Sequence, residues 1–235
     1  MYTEYQPSHL LAPYIDNYWE LKGTPEYGMR IHILPDGCTD FIFTLGEVAD
    51  AVEKESLIMQ PYRSYFLGPM TKFSELVTYA ESVHMFCIRF LPCGLSCFTK
   101  LPLHEFVNSR INTKEMRAVF DDTFVERLCG QEHIEGRIQL VEGYLLAYLA
   151  RHYQSADSHV AMAVNMINQS GGKRSVCSLM DEVCLCQRHF ERKFKHYTGY
   201  TPKEYSRIIK FKNAVELLRN TASSNLLTTA INAGY

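Results

Sequence analysis

The sequence predicts an α+β protein: a β-rich N-terminal domain of barrel or sandwich type with flanking helices, then an all-α helix-turn-helix domain. Three observations carry this. Residues 27–90 form short apolar runs with alternating character, broken by turn residues. Beyond Pro92 the apolar period lengthens to that of a helix. Charge divides the same way. Residues 160–235 hold 11 Lys+Arg against 5 Asp+Glu, and the preceding 159 residues hold 13 against 21. A formal net charge of −2 thus hides a basic module attached to an acidic one. The boundary implied is 1–157 for the first domain and 158–235 for the second.

Within the first domain, Met29, Ile31 and Ile33 alternate with Arg30, His32 and Leu34, and Pro35-Asp36-Gly37 ends the run. Residues 39–45 are rich in aromatic and β-branched side chains, which suits a strand. Gly46-Glu47 and the charged residues 50–55 mark a loop. Residues 56–60, 64–67, 75–80 and 84–90 read as further strands, with Gly68-Pro69 as a turn. Many short strands at about ten-residue spacing suggest a compact barrel or sandwich.

Two helices are expected next, over residues 115–128 and 134–153. The second carries Ile138, Val141, Leu145 and Leu149 along one stripe. Such a stripe either packs on its own sheet or pairs with the same helix of a second copy as a homodimer.

The C-terminal domain is the most informative part. Val176, Leu179, Met180 and Val183 recur at helical spacing, and Cys184-Leu185-Cys186 interrupts them. Residues 187–197 resume the period, with Phe190, Phe194 and Tyr197 on one side and Arg188, Glu191, Arg192 and Lys195 on the other. Gly199 suits the position that closes such a helix. Thr201-Pro202-Lys203-Glu204 then opens another, with Thr as N-cap, Pro at the first helical position and Glu reaching back as a capping box. This is helix-turn-helix punctuation, and basic side chains along one helix supply the sequence-independent phosphate term of DNA affinity.

These residues resemble the AraC family of bacterial transcription regulators. The resemblance rests on Cys186-Gln187-Arg188-His189-Phe190-Glu191-Arg192-Lys193-Phe194-Lys195 and on Thr198-Gly199-Tyr200-Thr201-Pro202-Lys203-Glu204-Tyr205. Downstream, Lys210-Phe211-Lys212-Asn213-Ala214 and Leu217-Leu218 fit the family's connecting helix. It implies that the helix opening at Gln187 enters the major groove of double-stranded DNA. Arg188, Glu191 and Arg192 fall at base-reading positions, where Arg suits guanine and Glu accepts from cytosine. Gln187, Lys195, Lys203 and Lys210 are placed for phosphate.

Three departures stand out. Cys186 replaces the family's usual Ser cap. Lys210 stands where Arg is common. The residues up to Tyr235 only open the family's second helix-turn-helix, whose recognition helix would sit one groove away (~34 Å). Weak DNA binding is expected from the chain as written.

In the first domain, Pro35-Asp36-Gly37-Cys38, Asp40-Phe41-Ile42-Phe43, Tyr14-Ile15-Asp16-Asn17-Tyr18-Trp19 and Arg89-Phe90-Leu91-Pro92-Cys93-Gly94 resemble an N-terminal domain fused to AraC-type modules. That domain is a β-barrel, cupin-like in outline, and implies a sensor. A small-molecule effector of unspecified identity would sit against aromatic walls with a few polar anchors. Tyr18, Trp19, Phe41 and Phe43 are the candidate walls, and Arg30, His32 and Arg89 the anchors. Those cations suit an acidic or sugar-like effector.

Other functions find little support. Eight cysteines without a secretion signal predict reduced thiols. Cys93, Cys97, His84 and Cys87 have only loose zinc spacing, so no metal is expected. His32 has no partner histidine nearby. No nucleophile elbow, phosphate loop or Rossmann glycine pattern occurs, so neither catalytic residues nor a cofactor is expected. No apolar run approaches the length of a membrane span and Met1 opens no signal peptide, so a cytoplasmic protein without membrane contact is expected.

The function that follows is a sequence-specific, effector-controlled transcription regulator. The alternative is a sensor or adaptor whose helical tail contacts a protein rather than DNA.

Overall fold

The computed structural model describes residues 1–46, 59–115, 119–152, 156–220 and 226–234. The strands are β1 (Tyr2–Tyr5), β2 (Ile15–Gly23), β3 (Met29–Ile33), β4 (Thr39–Thr44), β5 (Ser64–Leu67), β6 (Ser74–Thr78), β7 (Val83–Phe90) and β8 (Arg110–Asn112). The helices are α1 (Asp122–Cys129), α2 (Ile134–Arg151), α3 (Ser158–Gln169), α4 (Val176–Val183), α5 (Gln187–Thr198), α6 (Pro202–Asn220) and α7 (Leu226–Ala233). The result is the α+β architecture expected, with antiparallel sheets first and helices after.

Six strands pair in the order β1-β2-β7-β4-β5-β8, and β3 pairs with β6 as a separate antiparallel sheet. Alternation assigns the faces of the larger sheet. Tyr18, Phe41, Phe43, Phe66, Phe86, Ile88 and Phe90 meet Phe120, Phe124, Leu128, Val141 and Leu145 in one core. Each such aromatic side chain removed from water contributes roughly 1.5–3 kcal/mol. Offset ring pairs such as Phe120–Phe124 at 4.6 Å and Phe41–Phe120 at 5.2 Å fill it. Trp19, Ile42, Tyr65, Leu67, Met85 and Cys87 form a second core on the opposite face. The β3–β6 sheet meets the larger one at two places. Met29 and Ile31 share a cleft with Leu21 and Val83 at one end, and Arg110 of β8 bonds Ser74 of β6 at the other.

The structure redraws several elements. Strand β2 is absent from the sequence-based expectation, because a bulge between Ile15 and Asn17 shifts its register and breaks the apolar alternation. Residues 56–58 and 50–55 lie outside the described residues, and Met59 and Gln60 are not in a strand. The helix expected from residue 115 starts at α1, where Asp121 caps it by accepting from Phe124 N–H at 2.8 Å. In α2, Val141 and Leu145 are fully buried in the chain's own core, so that stripe packs on its own sheet.

The C-terminal helices enclose a third core of Val160, Ala163, Ile167, Leu179, Val183, Phe190, Phe194, Tyr205 and Ile209. Cys93 joins this core, whereas Cys97 belongs to the sheet–helix core and Cys87 to the opposite sheet face. His84 bonds Glu20 at 2.8 Å. Among the described residues, no three of the side chains weighed for zinc come together. The helices touch the sheet region at named places: Tyr200 Oη donates to the Met70 carbonyl at 3.2 Å, and Gly199 lies against Pro69.

Candidate nucleic-acid interface

Helix α4 is capped by Ser175, whose hydroxyl accepts from Ser178 N–H at 3.1 Å, and is followed by Cys184. Cys184 adopts the left-handed conformation (φ 53°) and turns the chain. Leu185 follows, then Cys186 in extended geometry without a side-chain cap, as its thiol implies. Gly199 closes α5 at φ 81°. The capping box forms next. Thr201 N–H donates to Glu204 Oε2 at 2.7 Å, and Glu204 N–H donates to Thr201 Oγ1 at 3.1 Å.

The orientation of α5 follows from its two phenylalanines. Phe190 and Phe194 are fully buried and one turn apart, which leaves the opposite side to solvent. Arg188, Arg192 and Lys195 occupy that side and are exposed. Their spacing of four and three residues aligns them in one stripe. Glu191 is half-buried and accepts from Gln187 Nε2 at 3.0 Å, so each of these two side chains already holds the other. Lys203 is exposed near the start of α6. Lys210 Nζ donates to the Gly234 carbonyl at 3.1 Å, just beyond the end of α7, which occupies one of its three donors.

One residue that sequence reasoning did not single out fixes the arrangement. Lys193 Nζ sits 2.6 Å from Asp157 Oδ2. The other Asp157 oxygen caps α3 by accepting from His159 and Val160 N–H. Burial opposes the Asp157 charge, but the Lys193 bond and the capping N–H outweigh it and hold the carboxyl below its ordinary range. An Asp before Ser158-His159-Val160 was a readable cap; its ion pair was not.

The seven expected effector residues do not converge. Tyr18, Phe41 and Phe43 are buried in the core against α1 and α2. Arg30 and His32 stand on β3 with side chains 68% and 63% exposed, paired with Glu75 at 3.4 and 2.9 Å. The alternation of β3 turns them outward, because Ile31 and Ile33 take the inner side. Trp19 and Arg89 do share the other face of the larger sheet. Arg89 is already engaged there: its Nε and one terminal nitrogen donate to Asp40 at 3.0 and 3.1 Å, and the other lies 3.5 Å from Asp36. Burial works against its charge, and the two carboxylates more than restore it.

Residues 3–112 match the family described as Domain of unknown function (DUF6597). No curated protein matches the chain in sequence. Among solved structures, ToxT from Vibrio cholerae at 1.65 Å resolution has 10% identity and a TM-score of 0.51, over 93% of this chain and 89% of that one. ToxT from Vibrio cholerae O395 has 9% identity and a TM-score of 0.49, over 93% and 88%. At such identity the first likeness is one of fold: this chain is built like ToxT over most of its length. Among the described residues, no helix is long and apolar enough to cross a membrane.

Proposed function

We propose that the chain is a sequence-specific DNA-binding transcription regulator of the AraC type, controlled by a small effector bound in residues 1–157, with residues 158–235 as the DNA-reading module. One observation carries the reading: Arg188, Arg192 and Lys195 line the solvent side of a helix that follows a sharp left-handed turn. A cationic stripe in that setting suits a major groove, with Arg forks for guanine edges and Lys for phosphate. Glu191, next to the stripe, would release Gln187 to meet a base donor, and Lys203 would add a phosphate contact. The sequence resemblance and the fold shared with ToxT support the assignment.

Control follows as a population shift. The loop at Asp36-Gly37 touches Arg89 on one side and Tyr205 of α6 on the other, so a ligand that displaces Arg89 or Asp36 would bias how α6 and α5 sit. The test is selection from a pool of duplexes carrying a randomised segment. A shared base sequence among the retained duplexes, lost in Arg188→Ala and Arg192→Ala, is the result expected. Retention without any shared sequence would refute base reading.

A further inference from the structure

Two buried polar atoms on the sheet face that carries Met85 and Cys87 lack a hydrogen-bond partner among the described residues. Trp19 Nε1–H and Asn17 Oδ1 belong to residues 8% and 6% exposed, and among the described residues neither has a partner. They lie two positions apart on β2, so both project from one face, about 7 Å apart along the strand. Native interiors seldom leave such atoms unmatched, and here a donor and an acceptor stand unmatched on neighbouring positions of one face.

The surroundings define that ligand's charge. Asp40 and Asp36 already neutralise Arg89. Two further acids remain: Asp16, which accepts from Asn17 Nδ2 at 3.1 Å, and Glu4, opposite Trp19 on β1. Lys212 of α6 answers part of this charge, so that four carboxyl groups, Asp36, Asp40, Asp16 and Glu4, face two cations, Arg89 and Lys212. Aromatic faces are present as well, with the Tyr2 ring centroid 5.8 Å from that of Trp19. A cleft of about 210 Å³ opens one step along the same face, where Leu21 meets Met29 and Ile31.

We propose that this face binds a small organic cation, an amine on an aromatic or apolar body. Its N–H donates to Asn17 Oδ1 and Asp16, and an oxygen on the body accepts from Trp19 Nε1. The proposal rests on the effector-controlled reading above and reverses the charge expected from sequence. An anion would meet Arg89 only by breaking a bidentate pair, and would face Asp16 and Glu4, which Lys212 offsets only in part. A cation gains both carboxylates and the aromatic faces.

Trp19 is the chain's single tryptophan, so its emission reports on the site directly. The whole chain is titrated with tyramine, with uncharged 4-(2-hydroxyethyl)phenol and with 4-hydroxyphenylacetate, following Trp19 emission and heat of binding. Saturable binding is expected for the amine, about tenfold weaker binding for the uncharged analogue, and none for the carboxylate. Asp16→Asn, at a half-exposed bulge position, should weaken the amine about tenfold and leave the uncharged analogue unchanged. Asn17→Leu should weaken both.

Equal or tighter binding of the carboxylate, or unaltered Trp19 emission with all three compounds, overturns the proposal. Duplex DNA association is measured in the same samples. Amine binding without DNA association would overturn the regulator reading and leave the site standing; DNA association without amine binding would overturn the site alone.

Discussion

Gly37 lies flat against the ring of Tyr205, so close that a β-carbon on Gly37 would fall 2.7 Å from Tyr205 Cε2. This contact joins the sheet region to α6. Gly37 also holds φ 88°, a conformation that side chains resist. Asp36 braces the loop, accepting from Cys38 N–H at 3.0 Å while facing Arg89. Tyr205 is braced in turn by its hydroxyl, which donates to Asn168 Oδ1 at 2.8 Å. A continuous line of contacts thus runs from Arg89 to α3.

Gly37→Ala should therefore destabilise the chain by about 1–3 kcal/mol, through overpacking and backbone strain together. Thermal unfolding measures it. Gly143→Ala is the control with opposite sign. Gly143 sits within α2, and a β-carbon added there would meet nothing within 4 Å, so alanine should stabilise by roughly 0.5–1 kcal/mol. Equal effects at the two positions would remove the argument for the junction.

Cys184 occupies the left-handed corner between α4 and α5 without being glycine. Its exposed thiol makes bonds only to the Asp181 and Glu182 carbonyls, at 3.8 and 3.9 Å, among the described residues. Relief of strain should make Cys184→Gly more stable by about 0.5–1 kcal/mol. A lower unfolding midpoint would show that the turn is not held as described.

Asp157 gives the chain a defined acid sensitivity. Its folded pKa lies below its ordinary value of 3.8, so the folded chain binds fewer protons there than the unfolded one. The stabilisation is complete above the unfolded pKa and is lost as pH falls through the folded one, a window below about pH 4. Asp157→Asn keeps a cap but removes the charge that meets Lys193. Denaturant midpoints should fall less steeply with acid in Asp157→Asn than in the parent, and parallel curves would contradict the ion pair. Asp157→Ala should cost about 1 kcal/mol more through the lost cap.

Local chemistry made the C-terminal helices legible. Gly199 and the Thr201–Glu204 pair announce their own geometry, because a left-handed closure and a capping box need no distant partner. Strand β3 was readable from alternation, and β4 to β7 from apolar, aromatic and β-branched runs between turn residues, for the same reason. What failed depended on register and on distance along the chain. The bulge beside Asp16 hid β2, and with it the fact that Asn17 and Trp19 share a face while Tyr18 takes the other. Arg30 and His32 looked like anchors because residue type does not reveal which side of β3 faces inward. The bond from Lys210 to the Gly234 carbonyl left no local mark, because its partner lies 24 residues away.

The central claim is that the Arg188, Arg192 and Lys195 stripe meets duplex DNA, and the salt dependence of association tests it most directly. Affinity for a selected duplex, followed by anisotropy between about 50 and 200 mM salt, should fall linearly on logarithmic axes as counterions are released. Lys195→Ala should weaken all duplexes alike and reduce the slope by about 1, whereas Arg188→Ala and Arg192→Ala should each cost about 1–3 kcal/mol and relax base preference. Association that ignores salt, or parent-like affinity in a variant lacking all three cations, would contradict the account.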